Sequence, residues 1–328
     1  MNSTPGVPGD RSAEKPASET RPDEILDAYS TAVVHAAETV GPAVVNLSTR
    51  GARRGTWPPP TGGGSGLIFR QGAFVLTNEH VVRGATKIRA TLADGREFPA
   101  EKIGADRLTD LAVLRLQGRD LPAATLSSDP PLRVGQLVVA IGNPLGLRWT
   151  VTAGVVSAVH RTLRVGPDRW LHNLIQTDAM IHPGNSGGPL VDGAGRVVGI
   201  TTLHIAGAPG LGFAISASEA LPIVDTLLRR GHVERPYFGV DGQSVLLEED
   251  NPRRGVLVLA VESMSPASRA GIRPMDTILE VDGRAVESLD ALAQTVRGRA
   301  VGDRLAVLVR RRRRDRAVSI VLGDRGRS

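Results

Sequence analysis

The 328-residue chain carries 40 basic and 34 acidic residues, a formal net charge of +6, and is 41% hydrophobic, enough for two domains with separate cores. It contains no cysteine, which excludes disulfide frameworks, thiolate metal sites and cysteine nucleophiles; any nucleophile must be an oxygen or a nitrogen. Much of the cationic excess lies in one run, Arg310 to Arg314, so net charge alone points to no acidic partner.

Residues 1–23 are rich in Pro, Ser, Thr and charge and read as a disordered tail. No stretch has the length of a transmembrane helix or the apolar core of a signal peptide. A soluble, cytoplasmic chain is therefore expected, with the cell envelope or periplasm as the alternative if a leader is missing. Ile25, Tyr29, Val33 and Ala37 recur every four residues and predict a short amphipathic helix. From Ala43 the apolar runs become short and β-branched (VVNLS, SGLIF, FVLT, LAVLRL, LVVAI, VVSAV), broken by Gly, Pro, Asp and Asn, which predicts a β-sandwich or barrel. The Gly- and Pro-rich stretch 55–66 is expected to be a surface loop.

The strand pattern ends near Ser216. Ser218 is then the expected N-cap of a helix carrying Leu221, Val224, Leu227 and Leu228 and closed by Gly231. A second pattern starts at RPYFGV and runs through GVLVLAVE, DTILEVDGR, a helix around Leu289 to Val296, and the strand pair RLAVLVR and RAVSIVL, which suits a small α+β module. The expected division is a tail over 1–23, a first domain over 24–231 and a second over 236–325. The arginine run falls between two of these strands, where a solvated hairpin turn accounts for it, and no aromatic residues accompany it for base stacking; no nucleic-acid partner is expected.

Chemistry concentrates in Pro183-Gly184-Asn185-Ser186-Gly187-Gly188-Pro189, a serine among glycines that let the backbone approach a substrate closely. Serine is a weak nucleophile at its free pKa and needs a base within hydrogen-bond reach and a third group to orient that base. His80 follows the strand FVLTN, and Asp110 heads the apolar run LAVLRL, where an unpaired charge would be costly. Each alone could be a turn, a core histidine or a strand cap. The chain order His80, Asp110, Ser186 is that of chymotrypsin-type proteases and differs from subtilisins and α/β-hydrolases. The other histidines lack ligand spacing, so neither a metal nor a cofactor is expected. Asp178 is read as structural.

The segments TNEHVV, LTDLAVLRL, AIGNPLG, TVTAGVVSAV, IQTDAMIHPGNSGGPLVD and GLGFAIS together resemble the protease domain of the HtrA (high-temperature-requirement) family, over roughly 40 to 231, and the C-terminal module resembles that family's PDZ domain. The resemblance implies a mainly β protein: a chymotrypsin-like double β-barrel followed by one PDZ domain. It implies Ser186 as nucleophile, His80 as general base and acid, and Asp110 as the group orienting His80. The oxyanion hole would lie on Gly184, Asn185 and Ser186, through the backbone N–H groups of Gly184 and Ser186.

Met180 and Ile181 stand where such proteases line the primary specificity pocket and predict cleavage after small or medium aliphatic residues. Tyr237, Phe238, Gly239 and Val240 match the loop that holds a ligand's C-terminal carboxylate. Arg161 matches a regulatory arginine. The expected function is endoproteolysis of unfolded or damaged proteins, with C-terminal peptide tails as PDZ ligands and a homotrimeric assembly. A non-cleaving, chaperone-like PDZ binder is the alternative.

Overall fold

The structure is a computed structural model that describes residues 27–51, 61–70, 73–144, 149–166, 169–182, 184–205, 208, 210–247 and 252–325. The expected tail over 1–23 lies outside the described residues.

The chain first builds, in sequence order, two closed barrels. One contains β1 (Val44–Gly51), β2 (Thr61–Phe69), β3 (Phe74–Thr77), β4 (Ala85–Leu92), β5 (Glu97–Asp106) and β6 (Leu111–Leu116), in the order β1-β2-β3-β6-β5-β4. The other contains β7 (Leu137–Gly142), β8 (Thr150–Gly166), β9 (Arg169–Thr177), β10 (Pro189–Asp192), β11 (Val197–His204) and β12 (Gly212–Ser216), in the order β10-β11-β12-β9-β8-β7. All pairings are antiparallel, and β1 with β4 and β7 with β10 close the two circles, leaving no open edge. Leu47, Leu67, Leu76 and Leu114 are fully buried, so truncating any one to Ala would cost about 2–5 kcal/mol.

The β-branched runs all became strands. The loop expected over 55–66 did not survive whole: Thr61 to Gly66 belong to β2, paired with β1 from Gly66↔Val45 to Thr61↔Arg50, and 55–60 lie outside the described residues. Composition misled because these glycines serve close packing rather than turning. A Cβ on Gly64 would sit 2.9 Å from the Ser186 carbonyl oxygen and 2.8 Å from a Val81 methyl.

Helix α1 (Ala28–Val40) precedes the first barrel and is capped by Asp27, whose side chain accepts from Ser30 N. A one-turn helix, α2 (Glu79–Val82), follows β3. After β12, α3 (Ala217–Arg230) packs on both barrels. Its N-cap is Ser216, which accepts from Glu219 N, and not the expected Ser218, whose hydroxyl instead meets those of Ser216 and Asn173's amide. Gly231 ends it as expected.

The C-terminal module holds β13 (Pro236–Tyr237), β14 (Val240–Leu247), β15 (Arg253–Val261), β16 (Thr277–Val281), β17 (Arg284–Ala285), β18 (Arg304–Arg311), β19 (Arg314–Val321) and β20 (Gly323–Asp324), with helices α4 (Pro266–Arg269) and α5 (Leu289–Arg297). Its main sheet runs β14-β15-β16-β18-β19, so β14 is an edge strand, and β13 pairs with β20. The arginine run forms the β18–β19 hairpin, in which Arg310 pairs with Asp315 and Arg311 with Asp276. Among the described residues no helix is long and apolar enough to cross a membrane.

Candidate active site

The site lies between the barrels and is built by backbone that has few alternatives. Asp110 sits at φ +61°, an uncommon conformation for a residue other than glycine, costing on the order of 1–3 kcal/mol unless its surroundings impose it. They do so here. Its carbonyl accepts from Glu79 N (3.1 Å) and Asn78 Nδ2 (3.0 Å), and the preceding turn is braced by Asp106, which accepts from Thr109 N (3.0 Å) and Thr109 Oγ1. The carboxylate, buried in this way, meets α2: Oδ1 accepts from His80 N (3.1 Å), and Oδ2 lies 2.8 Å from His80 Nδ1.

Thr202 of β11 joins this pair to the serine. Its hydroxyl donates to Asp110 Oδ2 (2.6 Å), and its carbonyl accepts from Ser186 Oγ (3.1 Å). Ser186 therefore rests on Thr202 in this state and makes no hydrogen bond to His80. Burial pushes the Asp110 carboxyl up, but the hydrogen bond and charge of His80, the Thr202 hydroxyl and the Arg169 guanidinium outweigh it and hold the group below the usual carboxylate range.

The glycine-rich loop is tied from inside. Ser65 Oγ donates to the Gly184 carbonyl (2.6 Å) and accepts from Asn143 N (2.9 Å), while Ser65 N donates to the Ser186 carbonyl (2.8 Å). The Asn185 carbonyl accepts from Thr201 Oγ1 (2.7 Å) and Gly188 N (2.9 Å). In a trans peptide the N–H opposes the C=O, so the Ser186 N–H points away from Thr201. Asn185 N donates to the His182 carbonyl (3.0 Å), which removes that amide from the expected oxyanion set. Its side chain is wholly buried.

A family profile described as a trypsin-like peptidase domain matches residues 64–200, and one described as a PDZ domain matches residues 212–322. The putative serine protease HhoB of Synechocystis is 36% identical over 325 residues, covering 88% of this chain and 78% of that protein. The serine protease Do-like HtrB of Bacillus subtilis is 34% identical, covering 97% of this chain and 78% of that protein. This chain belongs to the HtrA family. Among solved structures, the HtrA-type protease AlgW with decapeptide superposes with a TM-score of 0.70 at 33% identity, covering 89% of this chain and 98% of that one. The chain is thus an HtrA-type serine endopeptidase with a PDZ domain. The PDZ profile's match begins inside the protease unit, since Gly212 to Ser216 form β12 of the second barrel.

The remaining expected site residues fall into three places on the HtrA scaffold. Met180 is exposed and its carbonyl accepts from Thr152 Oγ1 (2.8 Å), whereas Ile181 is buried beside Gly212. Asp178 accepts from Val155 N (2.6 Å). Arg161 lies on β8 and donates through Nε to Gln176 Oε1 (3.1 Å). Tyr237 to Val240 lie near the start of the PDZ module. The Phe238 carbonyl accepts from Ala267 N (2.9 Å) and the Gly239 carbonyl from Glu262 N (3.1 Å). Gly239 is at φ +89°, and a Cβ there would lie 2.2 Å from that of Ser265, so both conformation and space require glycine.

Sequence reasoning missed Ser65, Thr202 and Arg169. Ser65 was hidden in a stretch whose composition mimics a linker. Thr202 had a signal: Thr201 and Thr202 interrupt the apolar run VVGITTL, and buried hydroxyls need partners. Arg169 had none, because only the β8–β9 hairpin brings it near Asp110.

Proposed function

We propose that Ser186, His80 and Asp110 form the catalytic triad of this HtrA protease, acting on unfolded or damaged proteins. The observation that supports the reading best is the continuous chain from His80 through Asp110 and Thr202 to Ser186. For attack, the Ser186 hydroxyl leaves the Thr202 carbonyl, a bond worth about 1 kcal/mol net, and turns to His80 Nε2. His80 takes the hydroxyl proton as Oγ bonds to the scissile carbonyl carbon, and Asp110 stabilises the imidazolium. The developing oxyanion is received by the N–H groups of Gly184 and Ser186. His80 then returns the proton to the leaving amine, and water, activated by the same imidazole, hydrolyses the acyl-enzyme.

Met180 and Ile181 offer no counter-charge, which favours cleavage after small or medium aliphatic residues; a peptide series preferring Arg at the cleaved position would refute this. At the PDZ module, the Phe238 and Gly239 carbonyls are taken by Ala267 and Glu262, so the Gly239 and Val240 N–H groups face the opposite side, as a carboxylate-binding loop needs. A peptide tail would add to the edge strand β14, and Arg161 on β8 would carry its effect to the protease unit. The proposed units are 24–231 for the protease and 236–325 for the PDZ domain. The likeness also implies a homotrimer, which sedimentation at three times 34.6 kDa tests.

The deciding experiment is casein digestion with fluorophosphonate labelling, for the wild-type protein and Ser186→Ala. Loss of both in the variant, with turnover reduced by up to about 10⁶, is expected. Absence of both from the wild type, even with a C-terminal peptide present, would favour the non-cleaving binder.

A further inference from the structure

The Asp110 carboxylate has a third partner residue that the mechanism above does not use. Arg169, the first residue of β9, places Nη2 3.4 Å from Asp110 Oδ1, with the arginine side chain 21% exposed and the aspartate 3%. The hairpin that delivers it packs on the turn before Asp110, where Trp170 and Leu171 share a small hollow with Leu108 and Thr109. Arg169 Nε is buried with no hydrogen-bond partner. Among the described residues, Asp110 is the one acid that this guanidinium meets. Desolvating an arginine to this degree is costly, and a charge so placed acts strongly on what it faces.

Every element packed on the carboxylate contributes differently. α2 presents His80, and beyond it Arg83, which is turned to Glu79 in a bidentate pair. β11 presents the uncharged Thr202 hydroxyl. The turn before Asp110 presents Asp106, which is already held by Arg235. Among the described residues, β9 alone brings a permanent, otherwise unpaired charge to Asp110.

We propose that Arg169 is a positioning residue of the proteolytic reaction: it holds Asp110 as a carboxylate facing His80 and offsets its charge, so that His80 stays a neutral base to lower pH. The inference rests on the triad reading. Without Arg169, an imidazolium at His80 would face an uncompensated anion across 2.8 Å and would persist to higher pH. With Arg169, the carboxylate is shared between two cations, and the protonated resting state is less favoured. The same sharing weakens stabilisation of the imidazolium formed during attack, so the arrangement exchanges some turnover at neutral pH for activity in mild acid.

The test compares the wild type with Arg169→Met and Arg169→Lys, reading kcat/KM and the fluorophosphonate labelling rate from pH 5 to 8. The acid limb of Arg169→Met is expected to move to higher pH by about half a unit or more, and that of Arg169→Lys to stay near the wild type. A role in packing alone would lower stability or turnover in Arg169→Met and leave the limb in place, which overturns the proposal. The ¹³C chemical shift of His80, titrated in a Ser186→Ala background with and without Arg169→Met, gives a readout that needs no catalysis. If the wild type neither cleaves nor labels, the triad reading fails, while an unmoved histidine titration independently overturns the role of Arg169.

Discussion

Arg235 grips Asp106 with both arms of its guanidinium, Nη1 to Oδ1 at 2.5 Å and Nη2 to Oδ2 at 2.9 Å. The backbone of Arg235 belongs to the PDZ side: its N–H donates to Asp324 Oδ1 and its carbonyl accepts from Arg325 N. Asp106 in turn braces Thr109, one residue before Asp110. The residue just before the proposed PDZ unit therefore grips an acid that is separated from the proposed triad acid by only three residues of turn. Removing one partner of a buried, bidentate pair typically costs about 3–5 kcal/mol because the other is left uncompensated. Arg235→Met is expected to lower the unfolding temperature and to reduce kcat about tenfold with KM little changed. Arg235→Lys should restore only part of this, since an ammonium cannot reproduce the fork. Thermal unfolding and peptide-substrate kinetics on the full chain check both, and an unchanged kcat would confine the clamp to stability.

Gly64 lies where β2 passes the nucleophile, and its missing side chain leaves room for the Ser186 carbonyl. Gly64→Ala forces a methyl against backbone that cannot swing away, because Ser65 N holds that same carbonyl. The expected result is a loss of 1–3 kcal/mol in stability, roughly the cost of overpacking, and at least a tenfold fall in labelling by fluorophosphonate. Gly62→Ala is the control. Its Cβ would meet only the Thr49 hydroxyl at 3.1 Å, a side chain able to give, so labelling should be nearly unaffected.

The contrast between these glycines explains what was legible in the sequence. Alternating and fully apolar runs such as LAVLRL announced strands because burial on a sheet imposes those patterns locally. His80, Asp110 and Ser186 could be proposed as a set because their residue types, order and neighbours occur together, and the structure joins them through Thr202. Gly62 to Gly66 were misread because a glycine that makes space and a glycine that turns the chain look identical until the neighbouring strand is known. The N-cap shifted from Ser218 to Ser216 because both residues can cap, and the barrel closure by β12 decided between them. Arg169 and Arg235 act through partners 59 and 129 residues away, and no local pattern encodes such distances.

Thr202 separates two roles that one residue performs. Thr202→Val deletes the hydroxyl that donates to Asp110 Oδ2 but keeps the backbone carbonyl on which Ser186 rests. A hydrogen bond to a charged group is worth about 1.5–3 kcal/mol, so kcat is expected to fall about 10- to 100-fold while KM changes little. Thr202→Ser keeps the donor and should stay within a few-fold of the wild type. Equal losses in the two variants would show that the methyl packing, rather than the hydroxyl, is what matters.

Asp276 gives the PDZ module an acid-sensitive anchor. It is 1% exposed, takes Arg311 Nε and Nη2 at 2.6 and 2.7 Å, and accepts from Arg273 N at 2.9 Å. Burial pushes its carboxyl up, but the Arg311 hydrogen bonds, the Arg273 amide and the charges of both arginines outweigh it and hold the group below the usual range. With the folded value below the unfolded value of about 3.9, the unfolded chain binds the proton first as acid is added. The stability from this group is thus complete above about pH 4 and is lost as pH falls through the lowered folded value. Asp276→Asn should destabilise the PDZ module at neutral pH by about 3–5 kcal/mol and make its stability less dependent on pH below 4. Amide hydrogen exchange at Val256, Val258 and Ile278, all fully buried in this sheet, measures the module within the intact chain. A variant whose exchange steepens with acid as much as the wild type's would show that other carboxylates, and not Asp276, set the acid limit of this domain.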